Sequence, residues 1–150
     1  MNYHLKSIPR VLLIFFVFIL MSCKSTQSWT TKKEMKGIYI PDFKLLYFKK
    51  LMIVGYNNTN EIKNIVSADR SGFSEPILFS IEDYELIDSF VKLDNNNMIQ
   101  DSINRIGRTA EGTEGKHVFA VALRKYQSKW LDNLAKERFK MYWRKEKQKY

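Results

Sequence analysis

The segment GIYIPDFKLLYFKKLMIVGY, residues 37–56, is rich in aromatic and β-branched side chains. Side chains of this kind favour strands, and Pro41 interrupts the pattern, so residues 51–56 are the clearest strand. A turn is predicted at residues 57–60, NNTN, because asparagine readily adopts turn conformations. Residues 61–67 are predicted to form a second short strand.

A helix is predicted to begin after Ser80. Asp83 follows three residues later, which is the form of a capping box at a helix start. Apolar residues then recur at helical spacing over residues 84–106, with an interruption at residues 95–97. Gly107 is a natural end for this helical region.

The C-terminal third combines one apolar run with one long polar segment. Residues 118–123, VFAVAL, have the length and continuous apolar character expected of a strand buried on both faces. The long segment from residue 126 to residue 147 lacks Gly and Pro, which predicts a long helix. The order β-β-α-α-β-α therefore predicts an α+β fold, a small single domain with helices packed on one face of a sheet.

Length and composition exclude several classes of protein. The chain has 150 residues, of which 45% are hydrophobic, and this excludes a largely disordered chain and allows one domain. The single cysteine excludes a disulfide framework and a Cys-rich metal site.

The N-terminus has the organisation of a targeting sequence. Lys6 and Arg10 precede the apolar run VLLIFFVFILM, residues 11–21. A membrane-spanning helix needs about 20 apolar residues, whereas the apolar core of a signal peptide needs about 7–15. The run ends in the tetrapeptide Leu20-Met21-Ser22-Cys23.

This ending resembles the lipobox of bacterial lipoproteins, which has Leu at position −3 and a small residue before the cysteine. The resemblance implies cleavage between Ser22 and Cys23, a diacylglyceryl group on the Cys23 sulfur and an acyl chain on its new amine. Lys24 stands where an aspartate would favour retention in the inner membrane. The resemblance therefore implies a lipid anchor in the outer membrane of a Gram-negative cell envelope.

These observations divide the chain into three parts. Residues 1–22 are the expected signal peptide, residues 23–36 the lipidated cysteine and a flexible tether, and residues 37–150 the single folded domain. Removal of residues 1–22 would leave 23 basic and 16 acidic residues, a net charge of +7. Residues 124–150 alone have 10 basic and 3 acidic residues, which is also +7, so the charge excess lies at the C-terminus.

The C-terminal lysines are the strongest candidate for a binding surface. At 100° per residue they cluster on one face of the predicted helix, with a tryptophan among them. Such a face could bind an acidic protein, anionic lipid or an anionic polymer. The candidate partner-binding residues are Lys125, Lys129, Lys136, Lys140, Trp143 and Lys147.

Candidate catalytic and metal sites are poorly supported. His117 would be the single histidine of the mature chain, and Cys23 would be acylated, so no nucleophile and no metal ligand set is predicted. Gly107 and Gly112 have Walker-like spacing, but the Lys and Ser/Thr that this motif requires do not follow. Four helical acids are predicted to form a solvated face rather than a catalytic pair, namely Glu82, Asp83, Glu85 and Asp88.

The sequence therefore predicts a lipid-anchored, non-enzymatic envelope protein that binds another protein, as an inhibitor, an immunity protein or an accessory subunit. Two alternatives remain open. One is a structural envelope protein whose basic C-terminal helix binds anionic lipid or cell-wall polymer, and the other is a small cell-wall hydrolase. No nucleic acid, no small-molecule substrate and no cofactor beyond the covalent lipid is expected.

Overall fold

The computed structural model describes residues 10–69, 79–104 and 115–148, with side chains from residue 32 onward. These residues form five helices and no strand, so the predicted α+β fold with a sheet is wrong. Gly107, the predicted helix end, and Gly112 lie outside the described residues. The helices are α1 (Arg10–Gly55), α2 (Asn60–Ala68), α3 (Ile81–Asn104), α4 (Val118–Gln127) and α5 (Lys129–Lys147).

The segment predicted to be strands at residues 37–56 forms the C-terminal part of α1. Five of its seven buried positions recur every four residues, which is the spacing of one face of a helix. A strand would also turn Pro41, which is exposed here, toward the same core, because residues two apart share a face. A high content of aromatic and β-branched residues does not determine the spacing of the buried positions, which is what distinguishes a helix from a strand. These five positions are Tyr39, Phe43, Tyr47, Leu51 and Gly55, and the other two buried positions are Asp42 and Lys49.

The chain divides into two compact units, Met1–Lys36 and Gly37–Tyr150. In the first unit, the described residues from Arg10 onward are helical. In the second unit, the rest of α1 buries a common core with α3, α4 and α5, whereas α2 has no buried residue. Among the helices of the described residues, none combines the length and apolar content that crossing a membrane requires.

A tight turn connects α1 to α2. Asn57 and Asn58 both have a φ of 58°, a left-handed conformation that asparagine tolerates better than most residues, and the turn predicted here is confirmed. Residues 61–67, predicted to be a strand, lie in α2. The Lys49 ammonium donates a hydrogen bond to the carbonyl of Asp69 at 3.0 Å, which fixes the end of α2 against α1.

The predicted capping box at the start of α3 is confirmed. The Ser80 amide donates to the Asp83 carboxylate at 3.0 Å, and the Asp83 amide donates back to the Ser80 hydroxyl at 3.3 Å. The asparagines at residues 95–97 do not interrupt the helix, which continues to Asn104. Tyr39 contacts Asp83 and Tyr47 contacts Asp94, so α3 runs parallel to the second half of α1.

The C-terminal region is two helices rather than a strand and one long helix. The apolar run at residues 118–123 forms the first part of α4. The described residues contain no strand with which it could pair. Ser128 then has extended backbone angles, φ −71° and ψ 142°, and its hydroxyl accepts a hydrogen bond from the Leu131 amide at 3.2 Å. A serine in this conformation ends α4 and caps α5.

Helices α4 and α5 run antiparallel to α1. Phe139, late in α5, lies 5.6 Å from Tyr39 between ring centroids, whereas Trp130, early in α5, lies 6.0 Å from Tyr47. The core of the second unit therefore lies between α1, α3 and the α4–α5 pair. Its apolar members besides those of α1 are Phe79, Ile87, Val91, Met98, Val118, Ala122, Leu131, Ala135 and Phe139.

Gly55 permits the close approach of α1 and α4. A Cβ atom at this position would collide with the Val118 side chain and lie 3.4 Å from Met98 Cε. We expect Gly55→Ala to lower the free energy of unfolding by about 1–3 kcal/mol, as overpacking of a dense core does. Urea unfolding monitored by circular dichroism measures this loss.

Gly37 provides the matched control, because it also lies in α1 and nothing is within 4 Å of where its Cβ would be. Gly37→Ala should be neutral or stabilising by about 0.5–1 kcal/mol, since alanine favours helix. Val118→Ala in the Gly55→Ala background should recover part of the lost stability. Equal losses in the two glycine variants would contradict the close approach.

Candidate functional site

A buried carboxylate links α1, α3 and α5. The Asp83 residue is only 2% exposed, and its side chain accepts a hydrogen bond from the Tyr39 hydroxyl at 2.9 Å. The Arg138 guanidinium forms an ion pair with the same carboxylate through its Nε atom. The predicted solvated face is therefore wrong for Asp83, whereas Glu82, Glu85 and Asp88 are exposed as expected.

A second buried carboxylate of α3 repeats this arrangement, and its tyrosine partner lies two turns further along α1. Asp94 is 5% exposed and accepts hydrogen bonds from the Tyr47 hydroxyl and the Lys125 ammonium, both at 2.7 Å. The same ammonium lies 5.1 Å from the centroid of the Trp130 ring, a cation–π distance. Each of these two acids is thus neutralised by one cation and accepts a hydrogen bond from one tyrosine, as a buried charge requires.

The two tyrosines are structural donors. Burial raises the pKa of the Tyr39 hydroxyl far above its ordinary value, and the charge of Asp83 raises it further. Burial raises the pKa of Tyr47 in the same way, with the hydrogen bond to Asp94 adding to the effect. Both hydroxyls therefore keep their protons at neutral pH and do not serve as bases or nucleophiles.

An open cleft of about 310 Å³ lies between α3 and α4, next to the second carboxylate. Two of its charged groups, Asp94 and Lys125, are already paired with each other. Equal numbers of acids and cations line it, which gives no preference for a charged substrate. Its lining consists of Asp94, Asn97, Met98, Asp101, Val121, Arg124, Lys125 and Ser128.

The structure places His117 at the surface, before the first turn of α4. This exposed residue precedes α4 in a left-handed conformation, with a φ of 47°. Within the described ranges, no group of three His, Cys, Asp or Glu side chains could hold a metal ion. Ser22 and Cys23 lie within α1, and their side chains are outside the described part of the chain.

The predicted lysine surface separates into two groups. Lys125 lies on α4, not on the helix of the other lysines, and is held by Asp94. Trp143 is half-buried, with its ring 6.1 Å from that of Phe139, so it packs inward rather than among cations. The break at Ser128 explains the separation of Lys125, because a single continuous helix wheel aligned residues that lie on two helices.

The remaining lysines form a continuous surface, here called the basic face of α5. At 100° per residue its four members fall within about 40° of one another and opposite the buried Leu131 and Ala135. Of these lysines, one forms an ion pair with Asp132 at 2.5 Å. The basic face consists of Lys129, Lys136, Lys140 and Lys147. Apart from Lys136, these lysines have no ion-pair partner among the described residues.

An exposed apolar surface was missed from the sequence. Trp130 and Met141 lie away from the basic face on the α5 wheel, yet they are 41% and 46% exposed. Trp130 packs edge-to-face on Phe90 of α3 at 5.0 Å, and Leu93, one turn beyond, is 55% exposed. Amphipathic spacing gave no signal for this exposure, because these positions flank the core. We call Phe90, Leu93, Trp130, Leu134 and Met141 the apolar row.

Comparisons with protein-family models, with curated proteins and with solved structures found no significant match to this chain.

Lys125 and Lys129 should respond differently to the same substitution. Lys125→Met removes the cation that pairs with the buried Asp94, while the methionine keeps the apolar contact with Trp130. We expect a loss of about 2–3 kcal/mol in unfolding free energy, below the usual cost of breaking a buried pair because the lysine side chain is 35% exposed.

Lys129→Met, on the exposed and unpaired member, should change the stability by less than about 0.5 kcal/mol. Urea unfolding midpoints of both variants and of the wild type give the comparison. Equal stability of the two variants would mean that the Asp94 contact contributes nothing to the fold.

Proposed function

We propose that this chain is a lipid-anchored protein of the bacterial outer membrane. The observation that carries the proposal is the N-terminal sequence, in which two cations, an 11-residue apolar run and Leu20-Met21-Ser22-Cys23 follow in the order of a lipoprotein signal. A diacylglyceryl group and an N-acyl chain on Cys23 would give stable attachment, since two or more chains suffice.

The proposed role of the anchored domain is non-enzymatic binding of another envelope protein, as an inhibitor, an immunity protein or an accessory subunit. The apolar row supports this role, because exposed aromatic and methionine side chains are enriched in protein interfaces. The exposed Arg144 lies about 60° from the row on the α5 wheel, so the expected partner has an apolar patch with acidic groups at its rim. The buried acids and tyrosines are occupied in holding the fold and take no catalytic role in this proposal.

Lipidation is tested by metabolic labelling. In Gram-negative cells fed radiolabelled palmitate, the wild-type chain should incorporate label and lose residues 1–22, because the acyl chains are attached through Cys23. Cys23→Ala should abolish both the incorporation and the cleavage, measured by gel autoradiography and by the mass of the intact chain.

Ser25→Ala is the matched control, a neighbouring substitution that leaves the cysteine and the residues before it unchanged. It should be labelled and cleaved as the wild type is. Palmitate incorporation into the Cys23→Ala variant would refute the lipoprotein assignment.

Partner binding is tested by capture from envelope extract. The full chain, solubilised in detergent and immobilised, should retain one protein in near-stoichiometric amount at about 0.5 M salt, where charges are screened within about 4 Å. The double variant Leu93→Gln, Met141→Gln should lose that protein, because it removes two exposed members of the apolar row.

The matched control is Ile65→Gln, Ile103→Gln, which alters two exposed apolar side chains on other surfaces. This control should retain the partner. The binding proposal fails if the apolar-row variant captures the same protein as well as the wild type does, or if material is held only at low salt.

A further inference from the structure

The basic face of α5 is a long, one-sided row of cations. Eighteen residues separate Lys129 from Lys147, a distance of about 27 Å along the helix axis. Lys140 and Lys147 are exposed, and Arg144 lies at the edge of the same surface. No exposed apolar side chain lies in the middle of this basic face.

This composition fits a polyanionic surface better than the interface of a folded protein. Protein interfaces are depleted in lysine and require a dry apolar centre, which the basic face lacks. Lysine ammonium groups are hydrated point charges on flexible stems, so they can follow mobile phosphate headgroups without fixed geometry. Basic segments beside anionic bilayers gain favourable energy from each cation.

We propose that the basic face of α5 docks onto the anionic phospholipid headgroups of a bilayer. The inference rests on the proposed lipid anchor in one respect, because the anchor keeps the domain beside a bilayer. The apolar row lies about 120° around α5 from the basic face. Docking through the lysines therefore leaves the apolar row accessible to a protein partner.

The test places a fluorescent label on the basic face of the complete, lipidated chain. Asn133 is exposed and lies within about 60° of all four lysines on the wheel. Because the Cys23 sulfur is acylated, Asn133→Cys provides the single reactive thiol for a nitrobenzoxadiazole label. The chain is reconstituted in phosphatidylcholine vesicles with or without 30% phosphatidylglycerol, both containing a headgroup spin-labelled quencher lipid.

We expect quenching of the label in the phosphatidylglycerol vesicles and little in pure phosphatidylcholine. The triple variant Lys129→Gln, Lys140→Gln, Lys147→Gln should bring the quenching down to the phosphatidylcholine level, since each cation removed weakens binding roughly fivefold. Salt at 0.5 M should have the same effect.

Two controls isolate the surface and the charge. A label on Asn96→Cys, an exposed position of α3, should show no dependence on phosphatidylglycerol. The matched charge variant Lys63→Gln, Lys92→Gln, Arg124→Gln removes three other exposed cations and should leave quenching at residue 133 intact.

Quenching at residue 133 that is equal in both vesicles, or unchanged in the triple variant, would overturn the proposal. A fluorescence change with soluble polyglutamate but none with phosphatidylglycerol vesicles would show instead that the face binds an acidic polypeptide. Palmitate incorporation is measured on the same preparation, and a labelled Cys23→Ser chain is run in parallel. If the Cys23→Ser chain still docks, headgroup binding does not need the lipid anchor, and the docking proposal stands. Missing palmitate incorporation refutes the anchor alone, so the failures of the two proposals are distinguishable.

Discussion

Two buried aspartates fix the alignment of the helices in the second unit. Asp83 and Asp94 lie on α3, and each bonds a tyrosine of α1 and a cation of the antiparallel α4–α5 pair. A shift of one turn would leave a buried charge without its cation, which costs several kcal/mol. The order of partners along α1 therefore holds α3 parallel and α5 antiparallel to it.

The same constraint divides the cations of the C-terminal region into two kinds. Arg138 and Lys125 point inward and neutralise buried acids, so their charge is not available to a partner. Lys129, Lys140 and Lys147 are among the cations whose charge faces solvent. A net charge counted along the sequence sums both kinds, which is why the count identified the charged region but overestimated the surface available to a partner.

Local signals in the sequence predicted local structure well. The Ser80–Asp83 box and the asparagine turn before α2 were predicted correctly, because hydrogen bonds between near neighbours determine both. The sheet was wrong because the apolar runs at residues 51–56 and 118–123 are short enough for either a strand or a helix turned toward a core. Their helical state depends on packing between distant segments, such as Gly55 against Val118, which a single sequence does not display.

The candidate sites differ in predictability for a related physical reason. A lipoprotein signal is a linear motif, so the proposed anchor at Cys23 is fully readable in the sequence, whereas the apolar row requires the packing of α3 against α5. On the proposed model, the anchor makes any second contact with the bilayer intramolecular, and contacts of this kind need little affinity of their own. Weak, salt-sensitive lysine contacts would then orient the domain rather than hold it. An oriented apolar row would lose less rotational entropy when it binds its protein partner, and tethering would increase the affinity for this reason.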